Sequence, residues 1–104
     1  MSIEDRIKEQ LSSHRVILYM KGTPDFPQCG FSSQVAGALK QIGEEFAFVN
    51  ILEDQELRDG LKAYANWPTY PQLWVDGELV GGCDIIVEMF QSGELAKLLQ
   101  PAAA

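Results

Sequence analysis

The sharpest chemical feature of this chain is Cys29, which closes a turn-rich stretch, Gly22-Thr23-Pro24-Asp25-Phe26-Pro27, and precedes a helical pattern that begins at Gly30. A thiol at such a junction faces unpaired backbone N–H groups and the positive end of the helix dipole, and both stabilise its anion. Thiols in such settings titrate at roughly 3.5 to 7.5, so Cys29 is expected to be largely ionised at neutral pH. The alternative is a buried structural cysteine, against which the polar, proline-rich approach argues. Lys21, at the exit of the preceding apolar run, can add positive charge, although on its own it reads equally as a solvated lysine.

Cys29-Gly30-Phe31-Ser32 keeps the spacing of a redox C-x-x-C and puts a hydroxyl where the second thiol would be. A serine cannot resolve a disulfide, so a mixed disulfide formed on Cys29 has to be released by an external thiol. The other cysteine, Cys83, lies far along the chain, and its distance from Cys29 in space is not legible from spacing. Ser32 and Ser33 also suit the first turn of a helix for purely structural reasons. His14, the only histidine, falls at a helix end and belongs to no metal constellation; Trp67 and Trp74 read as packing residues. Zinc spacing, a phosphate-cradling glycine loop and a Ser-His-Asp set are all missing.

Positioning these groups falls to short elements. Ile3, Ile7 and Leu11 recur at a four-residue step and predict a surface helix that stops near Ser12-Ser13-His14. Arg15 through Met20 carries an unbroken apolar run with no polar face, as in a strand covered on both sides. The two prolines of the following loop exclude a helix interior and a central strand. Val35, Leu39 and Ile42 predict a second helix ending at Gly43, and Phe46 to Ile51 reads as a second strand. Asp54 is expected to cap a helix that turns Leu57, Leu61 and Tyr64 inward and stops at Asn66 and Pro68. Gln72 to Val75 and Glu78 to Val80 flank Asp76-Gly77, a strong hairpin signal. After Gly81-Gly82 a helix over Cys83 to Phe90, capped by Asp84, breaks at Ser92-Gly93 and resumes through Leu99. Pro101 and the three alanines read as a frayed tail, about 101–104. The order predicts one α/β domain over 1–104, with a small mixed four-stranded sheet flanked by helices.

At 104 residues, 46% of them apolar, one modest core can form without staples. Fifteen acidic against eight basic side chains give a formal charge of −7, a surface that repels phosphate backbones and anionic lipid, so nucleic acid and membrane are excluded as expected partners. Val16 to Met20, the longest apolar run, is far below the roughly 20 residues of a membrane-spanning helix. Glu4, Asp5 and Glu9 stand where a secretory or transit leader would be basic, and two cysteines do not make a secreted disulfide framework. The expectation is a cytoplasmic protein with free thiols.

Four motifs then combine. Lys21-Gly22-Thr23-Pro24, Cys29-Gly30-Phe31-Ser32, Trp67-Pro68-Thr69-Tyr70-Pro71-Gln72 and Gly81-Gly82-Cys83-Asp84 together closely resemble the monothiol glutaredoxins of the CGFS class, over nearly the whole chain. The resemblance implies a thioredoxin-like fold. It also implies that Pro71 is a cis-proline, leaving the backbone of Tyr70 free to pair with an extended peptide such as glutathione. Gly82, Cys83 and Asp84 would offer N–H groups and a carboxylate to a γ-glutamyl moiety. Lys21 and Arg58 would hold the glycyl carboxylate; on spacing alone, Arg58 is an exposed helix arginine.

A [2Fe–2S] cluster takes four thiolate-type ligands, and one chain supplies a single well-exposed candidate, Cys29. The resemblance implies that a cluster bridges a homodimer, held by Cys29 of each chain and the thiol of a glutathione bound to each. That reading makes the protein an iron–sulfur carrier that passes clusters to recipient proteins, with BolA-family proteins as further expected partners. The competing reading is a glutathione-dependent oxidoreductase in which the Cys29 thiolate attacks a protein–glutathione disulfide and a second glutathione recycles it. Against turnover stands the Gly22 to Gln28 loop, longer in this class than in dithiol glutaredoxins, which is expected to misplace glutathione.

Overall fold

Val16–Met20 forms β1, and all five of its residues are buried. Side chains alternate across a strand, so Val16, Leu18 and Met20 enter one core and Ile17 and Tyr19 enter another. The computed structural model describes residues 2–101, so the expected tail lies, beyond Pro101, outside the described residues. In chain order the elements are α1 (Ile3–Ser13), β1, α2 (Gly30–Ile42), β2 (Ala47–Asn50), α3 (Gln55–Ala65), β3 (Gln72–Val75), β4 (Glu78–Gly81), α4 (Cys83–Ser92) and α5 (Glu94–Leu99), with a 3-10 turn at Ile51–Glu53. The sheet runs β2-β1-β3-β4. β1 pairs parallel with β2 and antiparallel with β3, which pairs antiparallel with β4. This is the mixed four-stranded sheet expected from the sequence.

One core lies between the sheet and α2, α4 and α5, built on Val35, Leu39, Ile86 and Leu95. The other lies under α1 and α3, where Ile7, Leu11, Leu57 and Leu61 meet Tyr19 and Trp74. Asp54 caps α3 by accepting from the Leu57 N–H at 3.0 Å. Arg6 of α1 holds that same carboxylate at 2.6 Å and reaches Glu56 at 3.2 Å, which draws the Asp54 pKa down. Helices α1 and α3 meet closely at Gly60, where an added Cβ would stand 2.6 Å from Cγ1 of Ile3. Asp76 and Gly77 both have positive φ, 53° and 78°, the backbone of a two-residue hairpin turn.

Several boundaries differ from the sequence reading. β1 begins at Val16, not Arg15; the exposed Arg15 side chain donates to the Leu98 and Leu99 carbonyls at the end of α5, and its own carbonyl accepts from Asp76 N at 2.7 Å just outside the strand. β2 is shorter than Phe46 to Ile51: Asn50 Oδ1 accepts from Leu52 N at 3.1 Å and turns the chain out of the sheet. Tyr64 is not inward but at the exposed edge, its ring 6.1 Å from that of Trp74. Asp84 does not cap α4. Gly82 is the capping residue, and Asp84 lies within the first turn.

Candidate functional site

Cys29 is the N-cap of α2, with extended backbone (φ −153°, ψ 136°). A side chain at that position points back at the second and third helical N–H groups, here those of Phe31 and Ser32. Its thiol is partly exposed, and its pKa is lowered, chiefly by the Ser32 N–H against some desolvation, with help from the Phe31 N–H, the Lys21 charge and the Ser32 hydroxyl. The N–H groups act on the sulfur without closing a capping hydrogen bond of full geometry. Ser32 is fully buried, and its Oγ accepts from the Lys21 N–H at 3.1 Å, tying the end of β1 to the start of α2.

The loop before Cys29 folds back on itself. Gln28 N donates to Lys21 O at 2.9 Å, Gly22 N donates to Asn50 Oδ1 at 2.9 Å, and Lys40 of α2 grips Asp25 at 2.7 Å. Gly22 has φ +93°, and a Cβ there would stand 2.6 Å from the Phe26 carbonyl oxygen, so glycine is required at this turn.

A second helix start faces the first. Cys83 opens α4, and its thiol pKa is raised by burial first, then by the charges of Asp84 and Cys29. Its S–H donates to Gln34 Oε1 of α2 at 3.6 Å. Both cysteines are free thiols.

The third wall is α3 and the irregular segment after it. Arg58 and Lys62 are four residues apart and share a helix face. Tyr70 donates from its hydroxyl to the Arg58 carbonyl at 2.7 Å, and burial pushes its pKa up to about 12. The Tyr70–Pro71 bond is cis. Gln72, fully buried, donates from Nε2 to the carbonyls of Trp67 and Thr69, both at 3.3 Å, and accepts from Trp74 Nε1 at 3.1 Å.

Together these walls enclose a cleft of about 540 Å³. Lys21, Cys29, Arg58, Tyr70, Gly82, Cys83 and Asp84, all singled out from the sequence, line it; Pro71 is buried behind it. Sequence reasoning missed Lys62, whose signal was its spacing from Arg58, and Trp67, taken as packing. Phe31 and Ile85 also line the cleft and are 59% and 40% exposed, giving it an apolar mouth. His14 lies away from it, and no group of three or more His, Cys, Asp or Glu suited to a metal ion exists among the described residues. Among the described residues the five ion pairs occupy Arg6, Lys8, Arg15 and Lys40, and none involves Lys21, Arg58 or Lys62. None of the helices described is long and apolar enough to cross a membrane.

Comparison with known proteins gives a consistent picture. The family profile described as Glutaredoxin matches residues 16–80. "Glutaredoxin 4" of Escherichia coli (strain K12) is 55% identical over 100 residues, covering 96% of this chain and 87% of that protein. "Monothiol glutaredoxin-S11" of Oryza sativa subsp. japonica is 58% identical over 98 residues, covering 94% of this chain but 20% of the rice protein. Among solved structures, reduced poplar apo GrxS14 superposes with a TM-score of 0.78 at 54% identity, covering 91% of this chain and 87% of the poplar chain.

Proposed function

The chain belongs to the monothiol glutaredoxin family, with its thioredoxin-like fold, and on that premise we propose that it binds glutathione beside Cys29 and carries a [2Fe–2S] cluster between two copies of itself. The observation that carries this reading is the pairing of one anion-favouring thiol, Cys29, with three cations that make no ion pair among the described residues, Lys21, Arg58 and Lys62, in the same cleft. Glutathione brings two carboxylates, an ammonium and a thiol. Lys21 and Arg58 take the glycyl carboxylate, and Tyr70, preceding Pro71, pairs its backbone with the peptide. The N–H groups at Gly82 and Cys83 take the γ-glutamyl carboxylate while Asp84 takes the ammonium.

The donor set fits a shared cluster. Of the two thiols in the cleft, Cys29 favours the anion and Cys83 the protonated form, so one chain contributes one ligand toward the four required. Cys29 of a second copy and the thiols of two glutathiones complete the set, and exposed Phe31 and Ile85 provide apolar surface for the second copy to cover. The cluster is cargo: two of its ligands are exchangeable small thiols, which suits delivery to recipient proteins in the cytoplasm, with BolA-family proteins as candidate partners.

Anaerobic reconstitution with iron, sulfide and glutathione tests this. The expected product is a coloured dimer that requires glutathione and is abolished by Cys29→Ser. A colourless monomer overturns the carrier reading. The partial exposure of the Cys29 thiol also favours a second reading, deglutathionylation. There Cys29 attacks the glutathione sulfur of a mixed disulfide, the target thiolate leaves and takes a proton, and a second glutathione releases glutathione disulfide. Steady turnover of a small glutathione mixed disulfide, with no cluster uptake, would transfer the assignment to that reaction.

A further inference from the structure

Gln72 is the buried polar residue with the least apparent reason to be there. It opens β3 opposite Tyr19 of β1, on the sheet face that elsewhere packs Tyr19 and Trp74 against α1 and α3, and it is fully inaccessible to solvent. An amide in such a place destabilises the fold unless its donors and acceptor are all met. They are. A glutamine amide has two N–H donors and one acceptor oxygen. Both donors go to carbonyls of one irregular stretch, those of Trp67 and Thr69, and the oxygen accepts from the indole of Trp74. The indole N–H can only donate, so it fixes which way the amide faces and aims the NH2 group at the wall.

We infer that Gln72 is the positioning residue of the cleft, its side-chain amide fixing the Trp67–Tyr70 wall in the shape that receives glutathione. The inference rests on the glutathione reading above. Gln72 does not line the cleft and touches no ligand; it acts through the segment it holds. That segment lies outside helix and strand, so no backbone ladder keeps it in place. Its other internal tethers are at its ends, where Trp67 N donates to the Lys62 carbonyl at 3.1 Å and the Tyr70 hydroxyl to the Arg58 carbonyl at 2.7 Å. Between them, the Gln72 amide ties the wall to the first residue of β3 by two hydrogen bonds.

Two variants separate the halves of the device. Gln72→Glu keeps the volume and the acceptor for Trp74 but turns an oxygen toward two carbonyls. Trp74→Phe keeps the amide and removes the donor that orients it. Glutathione binding to the reduced 104-residue chain is followed by NMR titration, together with hydrogen exchange at the Trp67 backbone amide. Gln72→Glu should weaken binding by about tenfold and speed Trp67 exchange, while the Trp74 indole N–H resonance still reports a hydrogen bond. Trp74→Phe should weaken binding by roughly threefold. Leu99→Ala, in the core on the other face of the sheet, should lower the Tm without changing affinity, separating positioning from global stability. A folded Gln72→Glu protein with wild-type affinity and wild-type Trp67 exchange overturns the inference. Should Gln72→Glu fail to fold, wild-type affinity in Trp74→Phe overturns it instead. If the wild-type protein binds no glutathione, the functional reading falls, and the wall-fixing role is then decided by the exchange rates alone.

Discussion

Cys29 and Cys83 sit at two helix starts that face each other across one cleft, yet the fold pushes their thiols in opposite directions. The difference is one position. Cys29 is the N-cap residue, from which a side chain reaches back to the N–H groups of Phe31 and Ser32, and Lys21 adds positive charge. Cys83 is the first residue inside its helix, with no such N–H groups in reach. It is more buried, and its neighbours Asp84 and Cys29 raise its pKa further. A helix dipole alone therefore does not make a thiolate; the orientation of the side chain against individual N–H groups, and the sign of its neighbours, decide.

The largest test of this contrast is alkylation. Under reducing conditions at neutral pH, iodoacetamide should modify Cys29 well ahead of Cys83, as read by peptide mass spectrometry, and Cys29→Ser should remove the fast phase; equal rates would erase the distinction. Stability against pH comes next. Because the folded pKa of Cys29 lies below its unfolded value, its contribution grows as pH rises from the folded to the unfolded pKa and is lost as pH falls. Cys83 has the opposite sign, weakening the fold as pH rises above its unfolded pKa. Urea unfolding of Cys29→Ser should thus lose ground to the wild type in alkaline buffer, whereas Cys83→Ser should gain. Ser32→Ala leaves the Lys21 N–H without its acceptor and should cost about 1–3 kcal/mol. It should raise the Cys29 pKa only modestly, because the Ser32 backbone N–H, the largest influence, remains. Smallest of all, Gln34→Ala removes the acceptor of the Cys83 S–H and should make Cys83 slightly quicker to alkylate; a slower reaction would mean that this contact does not hold the protonated form.

Much of this was legible in sequence because the signals were local. The Asp76-Gly77 turn, the Asp54 cap and the Gly43 stop each depend on a few adjacent residues, and all three appear where expected. The apolar run from Val16 foretold a strand covered on both faces. Of the residues singled out in the sequence, Cys29 for its place before a helix and the others chiefly through family resemblance, seven line the cleft. The failures depend on distant partners. Arg15 lies just outside β1 with its side chain bonded to carbonyls at the end of α5, and Asn50 ends β2 by bonding a loop amide as well as its own turn. Asp84 looked like a cap because acidic residues often are, but the glycine before it has the capping backbone. Gln72 read only as a strand residue, since its two carbonyl partners follow from the path of the preceding loop.

Gly60 has a further implication. On α3 it lies two residues from both Arg58 and Lys62, so it faces away from them, toward Ile3 of α1. The N-terminal helix has no atom in the cleft, yet it is the backstop against which the cationic helix rests. A methyl group added at Gly60, or a fusion that shifts Ile3, would be transmitted through α3 as a displacement of the guanidinium and ammonium groups on its far side.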